Sequence, residues 1–229
     1  PTLDAFVALG EVLPLATYAR NSLLVAALAV PLTVLVGSLA GFGIRLLPPR
    51  ETRWAVAATV VALLVPVTAV WATRFELFRL VGAVDTFLPL VALGLIATNP
   101  FLVLVYVFAF SRLPDEQLEA AALDGAGPLR QWWSVGMPQV RAATLAVVVL
   151  AFTFHWSNFI DPLLYLNRQS TFTAPLGLRL LQLLNPTDWP LLMAGAVLTT
   201  APPVLVLLLG QRAFLGEDGL LTATRRRTL

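Results

Sequence analysis

The sequence has no cysteine, no lysine and a single histidine, His155. The missing thiols exclude disulfides, thiolate-held iron–sulfur clusters and a cysteine nucleophile. One histidine gives no basis for a histidine-rich metal site. The glycine–lysine phosphate loop of an ATPase cannot be built without lysine. No Ser/His/Asp or His/Glu cluster marks a hydrolytic centre. Charge is scarce too, at 12% of 229 residues against about 25% in an ordinary soluble domain. A formal net charge of +2 is too small to indicate a nucleic-acid partner.

What remains is apolar. Hydrophobic residues make up 58% of the chain and the mean hydropathy is +0.82, more apolar surface than a soluble core can use, so the composition predicts an all-α, polytopic transmembrane bundle. Five segments are long enough to cross a hydrocarbon core, near 21–44, 54–73, 87–110, 142–164 and 191–213. Pro31, Pro66, Pro100 and Pro202-Pro203 fall in or near them, where proline is tolerated if neighbours satisfy the freed carbonyls; kinks around a pathway are expected. Arginine placement sets the orientation. Arg45, Arg50, Arg53, Arg112, Arg130, Arg141, Arg212, Arg225, Arg226 and Arg227 fall on one side, and Arg20, Arg74, Arg79, Arg168 and Arg179 on the other. The positive-inside rule makes 111–141 cytoplasmic. The residues before Asn21 are then external, and with no export signal a further helix is expected to precede them, making six.

The loop 111–141 carries its own chemistry. Pro114 suits the first position of a helix, where its missing N–H costs nothing. Asp115 and Glu116 follow at the positive end of the helix dipole, Leu118, Ala121 and Ala122 form a small apolar face, and Gly125 can take the left-handed conformation that ends a helix. A second helix starts at Gly127-Pro128 and runs through Trp132 and Trp133 until Pro138 breaks it. Two short helices at an angle are expected, one with exposed carboxylates and one with aromatics.

Glu119-Ala120-Ala121, three residues, Gly125, nine residues and then Val135-Gly136-Met137-Pro138 closely resemble the EAA loop of ABC importer permeases, with Val135 and Met137 where that family prefers Ile and Leu. Nearly the whole chain, from about Asn21 to about Leu221, is similar to the carbohydrate, maltose-permease-like branch. Asn21-Ser22, the run from His155 to Leu164, Thr173 to Leu178 and Asp188-Trp189-Pro190 carry the further likeness, with Ser157 inserted between Trp156 and Asn158. The resemblance implies a type I ABC importer permease fold in a bacterial or archaeal plasma membrane. It implies a second permease subunit, two ATP-binding subunits that hold the ATP and Mg, and an extracytoplasmic solute-binding protein. No cofactor is expected on this chain. It also implies that Glu119, Ala120, Ala121, Asp124, Gly125 and Pro138 belong to the ATPase-coupling element, with Glu119 paired to a basic group on the ATPase.

A sugar pathway needs hydrogen-bonding side chains and aromatic faces, and polar groups inside spans usually face a cavity or another helix. Asn99, Thr153, His155, Trp156, Asn158 and Asp161 are the candidates, with Asn158 and Asp161 expected on one helical face. Segment 165–190 is expected to meet the binding protein. Three rivals stand beside a sugar permease: an EAA-type permease for another solute such as a polyol, phosphate ester or peptide, a carrier driven by an ion gradient, and a membrane enzyme, for which no catalytic cluster stands out. The second would favour paired intramembrane charges and an inverted repeat, whereas the acids here lie almost wholly in loops.

Overall fold

A computed structural model describes residues 4–92 and 99–217, and every regular element among them is helical. In chain order they are α1 (Asp4–Val12), α2 (Leu15–Arg45), α3 (Pro49–Leu64), α4 (Trp71–Leu80), α5 (Leu88–Ala92), α6 (Pro100–Phe110), α7 (Asp115–Leu123), α8 (Pro128–Gln131), α9 (Met137–Gln139), α10 (Arg141–Trp156), α11 (Ile160–Tyr165), α12 (Ala174–Leu184) and α13 (Trp189–Glu217). Short 3-10 turns span Val67–Val70 and Gln169–Thr171, and a π turn spans Trp132–Gly136. α2 packs on α6 and α10, α10 packs on α13, and α3 lies against α6.

Two helices, Leu15–Arg45 and Trp189–Gln211, are long and apolar enough to cross a membrane alone. The stretch 54–73 is not one straight helix. α3 ends at Leu64 and the path bends by 84° before α4. Pro66 disfavours helix in the residue before it, and Val65 is accordingly extended at φ −72°, ψ 115°. The other prolines sit in two kinds of place. Pro31, Pro202 and Pro203 lie inside continuous helices, while Pro100 opens α6, where it has no N–H to lose. Residues 93–98 of the expected span 87–110 lie outside the described residues.

α2 and α6 approach closely because α2 presents Gly37 and Gly41, four residues apart. A Cβ on Gly41 would lie 2.5 Å from the Cβ of Tyr106 and 3.0 Å from its carbonyl carbon. Small residues at this spacing let membrane helices pack backbone to backbone. Tyr106 and Phe110 stack on this face, and Phe110 meets Phe42 edge-on at 5.2 Å. Three apolar clusters organise the interior. The first joins α2, α6 and α10 to Leu113, Leu118 and Trp132 of the 111–141 loop. The second gathers Val25, Phe78, Leu90, Tyr165 and Leu176, and the third packs α1 and α12 on α13 through Leu9, Leu181 and Leu192.

Candidate functional site: an elbow and a polar junction

The 111–141 loop folds as two short helices. Pro114 stands just before α7 rather than at its first position, a one-residue difference that leaves Asp115 and Glu116 at the positive end. The helix ends in a Schellman turn: Gly125 N–H donates to Ala122 C=O at 2.9 Å and Ala126 N–H to Ala121 C=O at 2.9 Å. Gly125 has φ +77°, a conformation that costs other L-residues roughly 1–2 kcal/mol. α8 begins at Pro128 as its sequence predicts. Pro138, however, does not end the helix. A π turn with Met137 N–H bonded to Trp132 C=O precedes it, and the path swings by 87° two residues later, at Val140.

This elbow is anchored on one side and open on the other. Leu118, Trp132 and Gly136 are buried, and a Cβ on Gly136 would meet Phe42 and Phe110 at 3.1–3.3 Å. Gln131 Nε2 donates to Ala126 C=O at 2.8 Å, and Gln139 donates to Gln117 across the two helices. Facing out are Glu119, Ala120, Asp124, Gly125 and Pro138, with Ala121 half-buried. Glu119 makes no salt bridge among the described residues. Leu123 is 89% exposed, with Leu129 and Trp133 also exposed. Large apolar side chains among acids, on a rigid polar element, mark a surface suited to protein contact.

The solute-path candidates do not converge as one face. α10 ends at Trp156, so Asn158 lies in the break before α11 and not on a continuous helix. Asn158 and Asp161 nevertheless meet, through a local turn: Asn158 Nδ2 donates to Asp161 Oδ2 at 2.7 Å, and Asp161 N–H donates to Asn158 Oδ1 at 3.2 Å. The other Asp161 oxygen takes Arg74 Nη2 at 3.0 Å, the two side chains being 11% and 16% exposed. Arg74 carries no motif signal; only the fold of α4 against α11 brings it here. Next to this pair Tyr165 stacks on Phe75 and meets Phe78 edge-on.

The remaining candidates are spread over other elements. Trp156 is buried, stacks on Phe152 and donates Nε1–H to Thr199 C=O of α13 at 2.8 Å. Thr153 bonds back to Val149 C=O, and Asn99 immediately precedes α6. Buried His155 lies 3.2 Å from Thr33 Oγ1 of α2. Thr33 Oγ1 also lies 2.8 Å from Ala29 C=O, so the hydroxyl links α10 to the backbone of α2.

The second half of the chain is pinned to the start of α2. Asn21 Nδ2 donates to the carbonyls of Ser170 and Phe172, and Ser22 Oγ accepts from Ala174 N–H. These contacts give the Asn21-Ser22 pair a physical role. Gly177 is required beside them, because a Cβ there would lie 2.2 Å from the Tyr18 ring. Asp85 accepts from the N–H groups of Asn167 and Arg168, the Arg168 guanidinium and the Thr171 hydroxyl.

The family model described as binding-protein-dependent transport system inner membrane component matches residues 33–215. The chain belongs to that family. Among permease relatives it is 40% identical over 107 residues to the sn-glycerol-3-phosphate transport system permease protein of Yersinia pestis bv. Antiqua (strain Antiqua). That match covers 46% of this chain but only 38% of the relative's length. It is 28% identical over 194 residues to the lactose transport system permease protein of Rhizobium radiobacter, covering 85% of this chain and 70% of that one. A solved bacterial ABC transporter involved in import of the acidic polysaccharide alginate superposes with TM-score 0.72 at 17% identity, over 86% of this chain and 74% of that one. At that identity the likeness establishes the fold, that of a type I ABC importer permease.

Proposed function

We propose that this chain is the membrane permease subunit of an ATP-driven, binding-protein-dependent importer for a sugar or oligosaccharide. It works beside a second permease subunit and is moved by two ATPase subunits that bind the nucleotide and hydrolyse it. An extracytoplasmic binding protein delivers the solute. The observation that carries this reading is the elbow. α7 exposes Glu119 and Leu123 on its outer side while Leu118, Trp132 and Gly136 seat it on the ends of α2 and α6. A stiff element held by packing on one side can pass a push from a partner into the bundle. Arginine asymmetry supports a cytoplasmic position for this elbow. The match to the lactose permease supports a sugar, and the match to the glycerol-3-phosphate permease favours a small phosphate ester as the second reading.

The test is ATP-driven uptake in liposomes holding the whole complex. Glu119→Lys inserts normally and lowers uptake by at least about tenfold, as removal of a charge-assisted contact of roughly 1.5–3 kcal/mol predicts. Undiminished uptake by that variant removes the coupling role. Accumulation of glycerol phosphate but of no sugar selects the second reading.

A further inference from the structure

Arg45 is the last residue of α2, yet its side chain does not serve that helix. The carbonyls at the end of α2 are met by backbone amides, Leu46 N–H on Gly43 C=O and Leu47 N–H on Ile44 C=O, with the Thr52 hydroxyl 3.3 Å from Ile44 C=O. The guanidinium of Arg45 reaches away. Its Nε donates to Phe110 C=O at 3.3 Å, its Nη2 to Leu113 C=O at 3.3 Å, and Nη2 also meets the carboxylate of Asp115. These acceptors are the last residue of α6, the turn that follows, and the first residue of α7. One side chain therefore ties α2 to the end of α6 and to the start of α7.

Asp115 is 71% exposed, and exposed ion pairs contribute only about 0–1 kcal/mol. Stability is thus a poor account of the arrangement, and geometry a better one. A planar guanidinium holds several acceptors in fixed relative positions, which an ammonium cannot do. Among the described residues this is the only salt bridge that joins α7 to α2. It lies beside the contacts of Gly136 with Phe42 and Phe110, which join the second half of the elbow to the same two helices.

We propose that Arg45 is a positioning residue for the coupling step, fastening α2 to the α6–α7 turn so that displacement of α7 moves α2 and α6 as one body. This rests on the reading of α7 as the contact for an ATPase subunit. In its absence, α7 can pivot on its apolar seat and part of each ATPase stroke is lost.

The experiment measures solute taken up per ATP hydrolysed by the complete complex in liposomes. Arg45→Lys is expected to retain assembly and ATP hydrolysis while lowering that ratio about fivefold or more, the lower end of typical coupling between sites. Asp115→Ala, at an exposed position that does not threaten the fold, lowers it in the same direction by less. Thr52→Val removes a hydroxyl at the end of α2 that makes no hydrogen bond to α6 or α7, and it leaves the ratio unchanged. An unchanged ratio in Arg45→Lys, or an equal fall in Thr52→Val, overturns the proposal. Should Arg45→Lys fail to assemble, Asp115→Ala decides alone, and a wild-type ratio there overturns it. If the wild-type complex shows no ATP-driven uptake, the reading of α7 fails, and the role of Arg45 with it.

Discussion

Asp161 illustrates how much a single neighbour changes the meaning of a residue. On the sequence it is an acid at the outer end of a span, next to an asparagine, and so a candidate for binding a hydroxylated solute. In the fold each of its oxygens already has a donor, one Asn158 and the other Arg74, so the carboxylate is first of all a structural partner. Removing one partner of a buried pair leaves an uncompensated charge, which typically costs about 3–5 kcal/mol. Arg74→Gln should therefore lower the unfolding stability of the detergent-purified protein by about 3 kcal/mol, the lower end of that range, because both groups keep slight exposure. The double variant Arg74→Gln with Asp161→Asn should recover most of the loss. A double variant as unstable as the single one would show that the pair is not what holds α4 on α11.

At the scale of elements, the connections are as ordered as the helices. The 81–87 turn and the 165–173 segment meet at Asp85, whose φ of +63° puts it in a region that non-glycine residues rarely occupy. Burial pushes its carboxyl up, but the Arg168 and Asn167 amides, the Arg168 guanidinium and the Thr171 hydroxyl outweigh this and hold it below the usual carboxylate range. A carboxyl depressed in the folded state stabilises it above the unfolded value, about 3.9. That contribution is lost as pH falls through the folded value. Hydrogen exchange at the Asn167 and Arg168 amides should therefore show less protection as pH falls below about 4, after correction for intrinsic exchange. Asp85→Asn should lower protection at neutral pH and flatten the acid dependence. Equal protection in both proteins at neutral pH would mean that Asp85 does not organise this junction.

Across the whole molecule the arrangement has a direction: elbow at one end, Asp85 junction and α12 at the other. The absence of cysteine allows a direct check, since any introduced thiol is unique. In intact cells or oriented vesicles, Leu123→Cys should react with a membrane-impermeant maleimide only from the cytoplasmic side, and Arg179→Cys only from outside. Both positions are exposed, so labelling of both from the same side would overturn the orientation and the coupling role together.

Local chemistry made the elbow legible. Acids at the start of α7, alanines within it, Gly125 at its end and the restart at Pro128 are preferences of single residues and short spacings. Pro66 foretold a break in the 54–73 stretch, though not its 84° angle, and Pro138 misled because the π turn before it lets the helix continue to Gln139. Arg74 and Arg45 could not be found as partners, since each acts on residues more than sixty positions away. The Gly37–Gly41 spacing was a signal that could have revealed the α2–α6 approach.

Composition and short motifs by themselves determined that this protein is a helical membrane component with an acid–alanine elbow, because hydropathy, helix propensity and turn conformation are local properties of the chain. Only the tertiary structure decided which buried charges are paired, where the helices bend and what seats the elbow on the bundle. Those outcomes depend on groups far apart in sequence meeting within hydrogen-bond distance, and no local preference encodes that distance.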